Sequence, residues 1–197
     1  MRVSREQVSE NRRQILSAAA RLFRENGIAA TGVDEIAERA GLTHGSVYSQ
    51  FGSKDAVAAA AILFASAGSL RRWGRAAERA PGKPALREIV KGYLSRDHRD
   101  APGHGCVLAA LGPDAGRGPR ATRNAFTRAL RGAVDFIAGL MPDRVASKRE
   151  ERALALFSQM VGALILARAV DDEALSDRIL RASSRHAIAV ADHSPNR

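Results

Sequence analysis

Apolar residues recur along this chain every three or four positions, almost from end to end. That is the period of helices burying one face. Ile15, Leu16, Ala19, Leu22 and Phe23 make the first stripe, in a helix expected over residues 9–26 and closed by Gly27. Val33, Ile36, Ala37 and Ala40 make the second; Gly41 ends it and Leu42 returns to the core. Thr43 then caps a third helix with Val47 and Phe51 inward. Ser53 opens a long helix to about Ala76, with Ile62, Leu63, Phe64 and Leu70 as its bulk and a basic end in Arg71, Arg72 and Arg75. Pro81-Gly82-Lys83-Pro84 is a loop. The pattern predicts further helices over 84–96, over 105–111 (stopped by Gly112-Pro113), over 117–140, over 148–170 and over 171–187. The first eight residues read as a flexible basic arm and the tail from His193 as disordered.

No segment alternates with the period of a strand. The expectation is therefore an all-α fold of nine helices. Three form a small unit over residues 1–52 and six form a larger domain over residues 53–197. A three-helix unit of that size needs support from the rest of the chain.

Composition adds bounds. A chain of 197 residues with 45% hydrophobic content can build a real core. The longest nearly apolar runs, Ala56–Gly68 and Met160–Ala167, fall short of the roughly 18 residues of a membrane helix. The start, MRVSREQVSENRR, lacks the apolar stretch of a secretory signal. One cysteine cannot form an internal disulfide, which fits a reducing compartment. These features point to a cytoplasmic protein without a membrane partner.

The net charge of +10 suggests a polyanionic partner, but its placement matters. Residues 1–55 hold 8 Lys and Arg against 7 Asp and Glu, so most of the excess lies further on. Arg2, Arg5, Arg12, Arg13 and Lys54 nevertheless fall near the ends of helices, where they could reach a phosphate backbone.

The second and third helices carry the chemistry. The third turns Thr43, His44, Ser46, Tyr48, Ser49 and Gln50 outward, all polar, short or aromatic and almost uncharged. A short helix offering such groups on a rigid support suits the major groove of DNA. Most helix–Gly–helix hairpins bind nothing, so the detail decides. IAERAGLTHGSVYSQFGSKDAV resembles the helix-turn-helix of TetR/AcrR-family transcriptional regulators at Ile36, Ala37, Ala40, Gly41, Leu42, Thr43, Gly45, Ser46, Val47, Tyr48, Phe51, Lys54, Asp55 and Val57. Gln50 replaces the family's usual His or Tyr, and Gly32 stands where a capping Ser or Thr is common. The likeness is strong over residues 9–57 and weaker beyond; a GCVLAAL segment at Gly105–Leu111 also fits it.

The resemblance implies a homodimer that reads a palindromic double-stranded operator, usually as a repressor, and is released by a small molecule. DNA contact would fall to Thr43, His44, Gly45, Ser46, Tyr48, Ser49, Lys54 and Arg13. The last two helices would form the dimer interface. The wide apolar surface of 154–167 supports this, and the interface candidates are Leu154, Phe157, Val161, Leu164, Ile165, Arg168 and Ile179. Candidate ligand contacts are Phe64, Tyr93, Cys106, Val107, Leu111, Phe126, Leu130, Phe157 and Met160. Few polar groups sit among them, so an apolar or weakly polar ligand is expected.

Cys106 opens a predicted helix, where the dipole can activate a thiol, and Arg99 and His104 are close in sequence. It could sense oxidants or electrophiles, or be a small buried hydrophobe. An enzyme is the competing class, with Cys106 and His104 as nucleophile and base. Their spacing of two does not bring them together on a helix. The chain has no phosphate loop, no dinucleotide fingerprint and no metal-ligand motif, so no cofactor or metal is expected. A helical small-molecule-binding protein without DNA binding is the third reading.

Overall fold

The computed structural model describes residues 4–143 and 145–192. Among them the chain is helical throughout, with no strand: α1 (Arg5–Asn26), α2 (Val33–Arg39), α3 (His44–Phe51), α4 (Lys54–Arg79), α5 (Lys83–Tyr93), α6 (Arg96–Asp100), a 3-10 turn at Pro102–His104, α7 (Val107–Arg117), α8 (Arg120–Leu140), α9 (Ala146–Ala169) and α10 (Glu173–Asp192). The all-α expectation holds, with ten α-helices in place of nine. The expected disorder of the tail and the candidate phosphate contact Arg2 lie outside the described residues.

Several boundaries differ from the sequence reading, and three departures have a clear local reason. α1 starts a turn early because Ser4 caps it, its side chain accepting from the Gln7 N–H at 3.1 Å. The additional helix, α6, is RDHRD; it has no buried residue, so periodicity is silent about it. Its cap Ser95 accepts from the His98 N–H at 3.1 Å. α7 runs straight through Pro113. A proline inside a helix costs about 3 kcal/mol, but the stripe Leu108, Leu111, Ala115 continues across it and is buried.

The chain divides into two compact units, and the division falls within α4 and α8. The first unit holds the chain up to Ala67 together with Gly103–Ala129. Its core is Ile15, Leu22, Phe23, Ile36, Val47, Val57, Ile62 and Leu111. The three N-terminal helices are thus packed with α7 and the beginnings of α4 and α8, the support that a 52-residue unit requires. The second unit holds Gly68–Pro102 and the chain from Leu130. There α10 lies on α9 and α5, around Leu86, Val90, Leu156, Phe157, Met160, Leu164 and Leu180. Arg87 clamps Asp192 with two bonds of 2.7 and 2.6 Å.

α9 corrects one compositional reading. Over 18 residues its mean hydropathy reaches 1.3, so by length and composition it could cross a bilayer. Seven of its side chains lie in the core of the second unit instead, while Leu154, Ile165 and Leu166 remain exposed.

Candidate nucleic-acid interface

α3 is set up by backbone geometry that only glycine adopts cheaply. Gly41 (φ 67°) turns the chain out of α2, and Gly52 (φ 75°) turns it out of α3. Between them, Val47 is 1% exposed and anchors the helix, whereas Thr43, His44, Gly45, Tyr48 and Ser49 face outward. Arg12 of α1 holds the far end: it donates to the Gln50 carbonyl at 3.1 Å and sits 4.1 Å over the Phe51 ring.

The outward groups differ in what they have left to offer. Thr43 caps α3, accepting from the Ser46 N–H at 3.3 Å and meeting the Ser46 hydroxyl at 2.9 Å. The Ser49 hydroxyl donates to the Ser46 carbonyl at 3.0 Å. The Tyr48 side chain is 41% exposed, with its ring stacked on His44 at 4.7 Å and 28°. His44 also bonds through Nδ1 to Asp34 Oδ1 of α2, at 2.5 Å. His44 and Tyr48 therefore form one ordered aromatic edge.

The cations expected to reach a backbone are partly committed within the protein. Arg13 is paired with Glu10, which raises the guanidinium pKa and lowers the carboxyl below its ordinary value, mainly by their hydrogen bond. Lys54 donates to the Ala29 carbonyl at 3.1 Å, closing the corner that precedes α2. Sequence reasoning missed Asp34 as part of this surface and placed Arg12 toward a phosphate backbone, whereas its guanidinium lies on the end of α3. Asp34 lies ten residues before His44, across a turn, at no spacing that a linear pattern flags.

The ligand candidates are divided between the two units. Phe64, Cys106, Val107, Leu111 and Phe126 belong to the first; Tyr93, Leu130, Phe157 and Met160 belong to the second. The Tyr93 and Phe157 rings meet edge-on at 6.0 Å. Leu111, Phe157 and Met160 are at most 1% exposed. A cleft of about 270 Å³ in the second unit is lined chiefly by Arg99, Asp100, Arg168, Asp171, Glu173 and Ser176. It is lined by none of the ligand candidates.

Of the interface candidates, Phe157 and Leu164 point into their own core, at 1% and 0% exposure. The Arg168 guanidinium donates to the His98 and Arg99 carbonyls at 2.5 and 3.0 Å. Leu154 and Ile165 are exposed, and Val161 and Ile179 half-buried. Cys106 is the N-cap of α7 and 9% exposed. Arg99 is engaged with Asp100, Ser176 and Asp177.

An all-helical chain with a glycine-bounded helix-turn-helix and an outward polar recognition face belongs to the class of helix-turn-helix proteins. Comparison narrows the class. The profile of bacterial regulatory proteins of the tetR family matches residues 15–67. The HTH-type transcriptional regulator YerO of Bacillus subtilis is 31% identical over 99 residues, covering 47% of this chain and 34% of that protein. TtgR of Pseudomonas putida, also an HTH-type transcriptional regulator, is 43% identical over 54 residues, 27% of this chain and 26% of its own. The matches thus span about a third and a quarter of these relatives. Among solved structures, the reduced form of NemR from E. coli has a TM-score of 0.75 at 18% identity, over 91% of this chain and 96% of that one. SCO4454 of Streptomyces coelicolor has 0.72 at 21%, over 94% and 97%. Residues 15–67 thus match the tetR family of bacterial regulatory proteins, and the fold of the whole chain is that of these solved structures.

Proposed function

We propose that this protein is a transcriptional repressor that binds a palindromic operator as a homodimer and leaves it on taking up a small molecule. The observation that carries this reading is the exposed His44–Tyr48 edge of α3, mounted on a rigid support. Thr43, Gly45, Ser46 and Ser49 complete the groove face. Lys54 and Arg13, through exchange of their internal partners, add phosphate contacts. Residues 1–52 are the DNA-reading part and residues 53–197 the part for ligand and dimer, in the cytoplasm.

A monomer of this kind touches few base pairs, and two copies of α3 about 34–36 Å apart read two half-sites. The apolar residues that α9 leaves exposed, Leu154, Ile165 and Leu166, supply a surface for the second copy. Val161 and Ile179 border it. For the ligand, Phe64 and Phe126 retain accessible ring surface and are favoured over the fully buried Leu111, Phe157 and Met160. Binding shifts the protein only as far as the ligand prefers one state.

A second reading is favoured by one observation: the Cys106 thiol sits at the N-cap of α7, and α7 also holds the end of α1. An electrophile or oxidant acting there would be sensed close to the DNA-reading helices.

The test is fluorescence-anisotropy titration of labelled duplexes drawn from the DNA flanking the protein's own gene, at several salt concentrations. The expected result is saturation at two protomers per site, with affinity falling steeply as salt rises. Equal affinity for unrelated duplex would overturn sequence-specific regulation.

A further inference from the structure

The Asp34–His44 contact bears on what α3 reads. His44 opens the helix and its side chain is 53% exposed. Two constraints act on its ring. The Asp34 carboxylate, an acceptor only, meets Nδ1 at 2.5 Å, and Tyr48 covers one face at 4.7 Å. A carboxylate at Nδ1 requires the proton on that nitrogen. In the neutral ring Nε2 is then the lone-pair nitrogen, and it is the polar atom not taken by Asp34.

We infer that Asp34 is a positioning residue that fixes the tautomer and direction of the His44 ring, so that His44 selects a base bearing an exocyclic amine in the major groove. Those bases are cytosine, through its N4 amine, and adenine, through its N6 amine. Asp34 itself touches no base. Without it, the neutral ring is free to place its proton on Nε2 and offer a donor, which suits guanine O6 and N7 or thymine O4. The inference rests on the proposed DNA-reading role of α3 and adds which base class one of its residues takes, and why.

The experiment is selection of bound duplexes from a randomised pool at pH 8. It uses the full-length wild type and D34A, D34N, D34E and H44A, with thermal unfolding as a control for folding. The wild type is expected to favour cytosine or adenine at one position of each half-site, by roughly tenfold. H44A and D34A lose that preference at the same position and keep the others. D34E restores it, and D34N weakens it, because its amide can either accept from or donate to Nδ1 and no longer fixes one tautomer. A D34A profile matching wild type, or an H44A profile unchanged everywhere, overturns the inference while leaving DNA reading intact. Failure of the wild type to enrich any duplex overturns the DNA-reading function itself, and this inference with it.

Discussion

The Asp114 carboxylate of α7 accepts a hydrogen bond from the Ile28 N–H at 3.0 Å, across 86 positions of chain. Ile28 comes directly after Gly27, which ends α1 with φ 84°. Its N–H has left the helix, so a side chain must satisfy it. Arg24 adds a bond to the Gly103 carbonyl. The end of α1, where the chain turns toward α2 and α3, is thus gripped from the 103–117 segment. Asp114→Ala leaves a half-buried donor unpaired and is expected to cost about 1–2 kcal/mol in urea unfolding. Asp114→Asn retains an acceptor and most of the stability. Equal losses in both variants would show that charge, not the bond, holds the corner.

Arg12 links α1 to the end of α3 through two different contacts, the Gln50 carbonyl and the Phe51 ring. Arg12→Lys keeps the charge but loses the planar stack and is expected to recover only part of what Arg12→Ala removes. Thermal unfolding and operator affinity should fall together, because the contact supports α3 internally. An Arg12→Ala protein with unchanged unfolding and a flatter salt dependence would assign Arg12 to phosphate instead.

Tyr48 is expected to behave in the opposite way. It is 41% exposed and touches His44, with no place in the core. Tyr48→Ala should leave the unfolding midpoint within about 0.5 kcal/mol of wild type and weaken operator binding by roughly tenfold or more. Anisotropy titration with calorimetry on the same samples checks both halves.

For the dimer, Leu166 is 57% exposed and Ile165 41% in an apolar stretch. Placing charges there by Ile165→Glu with Leu166→Glu buries carboxylates without partners if two copies meet at α9. Light scattering after size exclusion should then report one protomer where the wild type reports two. A double variant that stays paired would move the interface off this face.

The parts of the fold legible in the chain are those that periodicity encodes. The stripes of α1, α2 and α9 were legible because burial selects apolar residues at helical spacing, and Gly41 was legible because the turn demands it. α6 was not, since its five polar residues are ordered by a cap at Ser95 and a bond from His98 Nδ1 to the Tyr93 carbonyl. Pro113 misled because a local breaker was overridden by packing of Leu111 and Ala115. The outward face of α3 was visible in the sequence, but not its order: Asp34 and Arg12 meet α3 only through folding. Nor does a stripe distinguish inside from outside on α9. Phe157 and Ile165 look alike in sequence, and the fold buries one and exposes the other.

Charge clusters are hidden from the sequence in the same way, and one of them should govern stability in acid. Asp177 of α10 is 7% exposed and gathers Arg96 and Arg99 of α6, with Arg181 at 3.6 Å. Chiefly the hydrogen bond from Arg96, and then the positive charge around it, holds the Asp177 carboxyl below its ordinary value of 3.8. A carboxyl depressed in the folded state stabilises the protein above its unfolded pKa, and that contribution is lost as pH falls through the folded value. The cluster should therefore contribute fully at pH 7 and fade below about pH 4. Asp177→Asn should unfold at a lower temperature than wild type at pH 7, because three guanidinium groups lose their shared anion. The gap should narrow as both proteins are taken from pH 5 to pH 3. A gap that stays constant across that range would mean the carboxylate charge contributes nothing and α6 is held by shape alone.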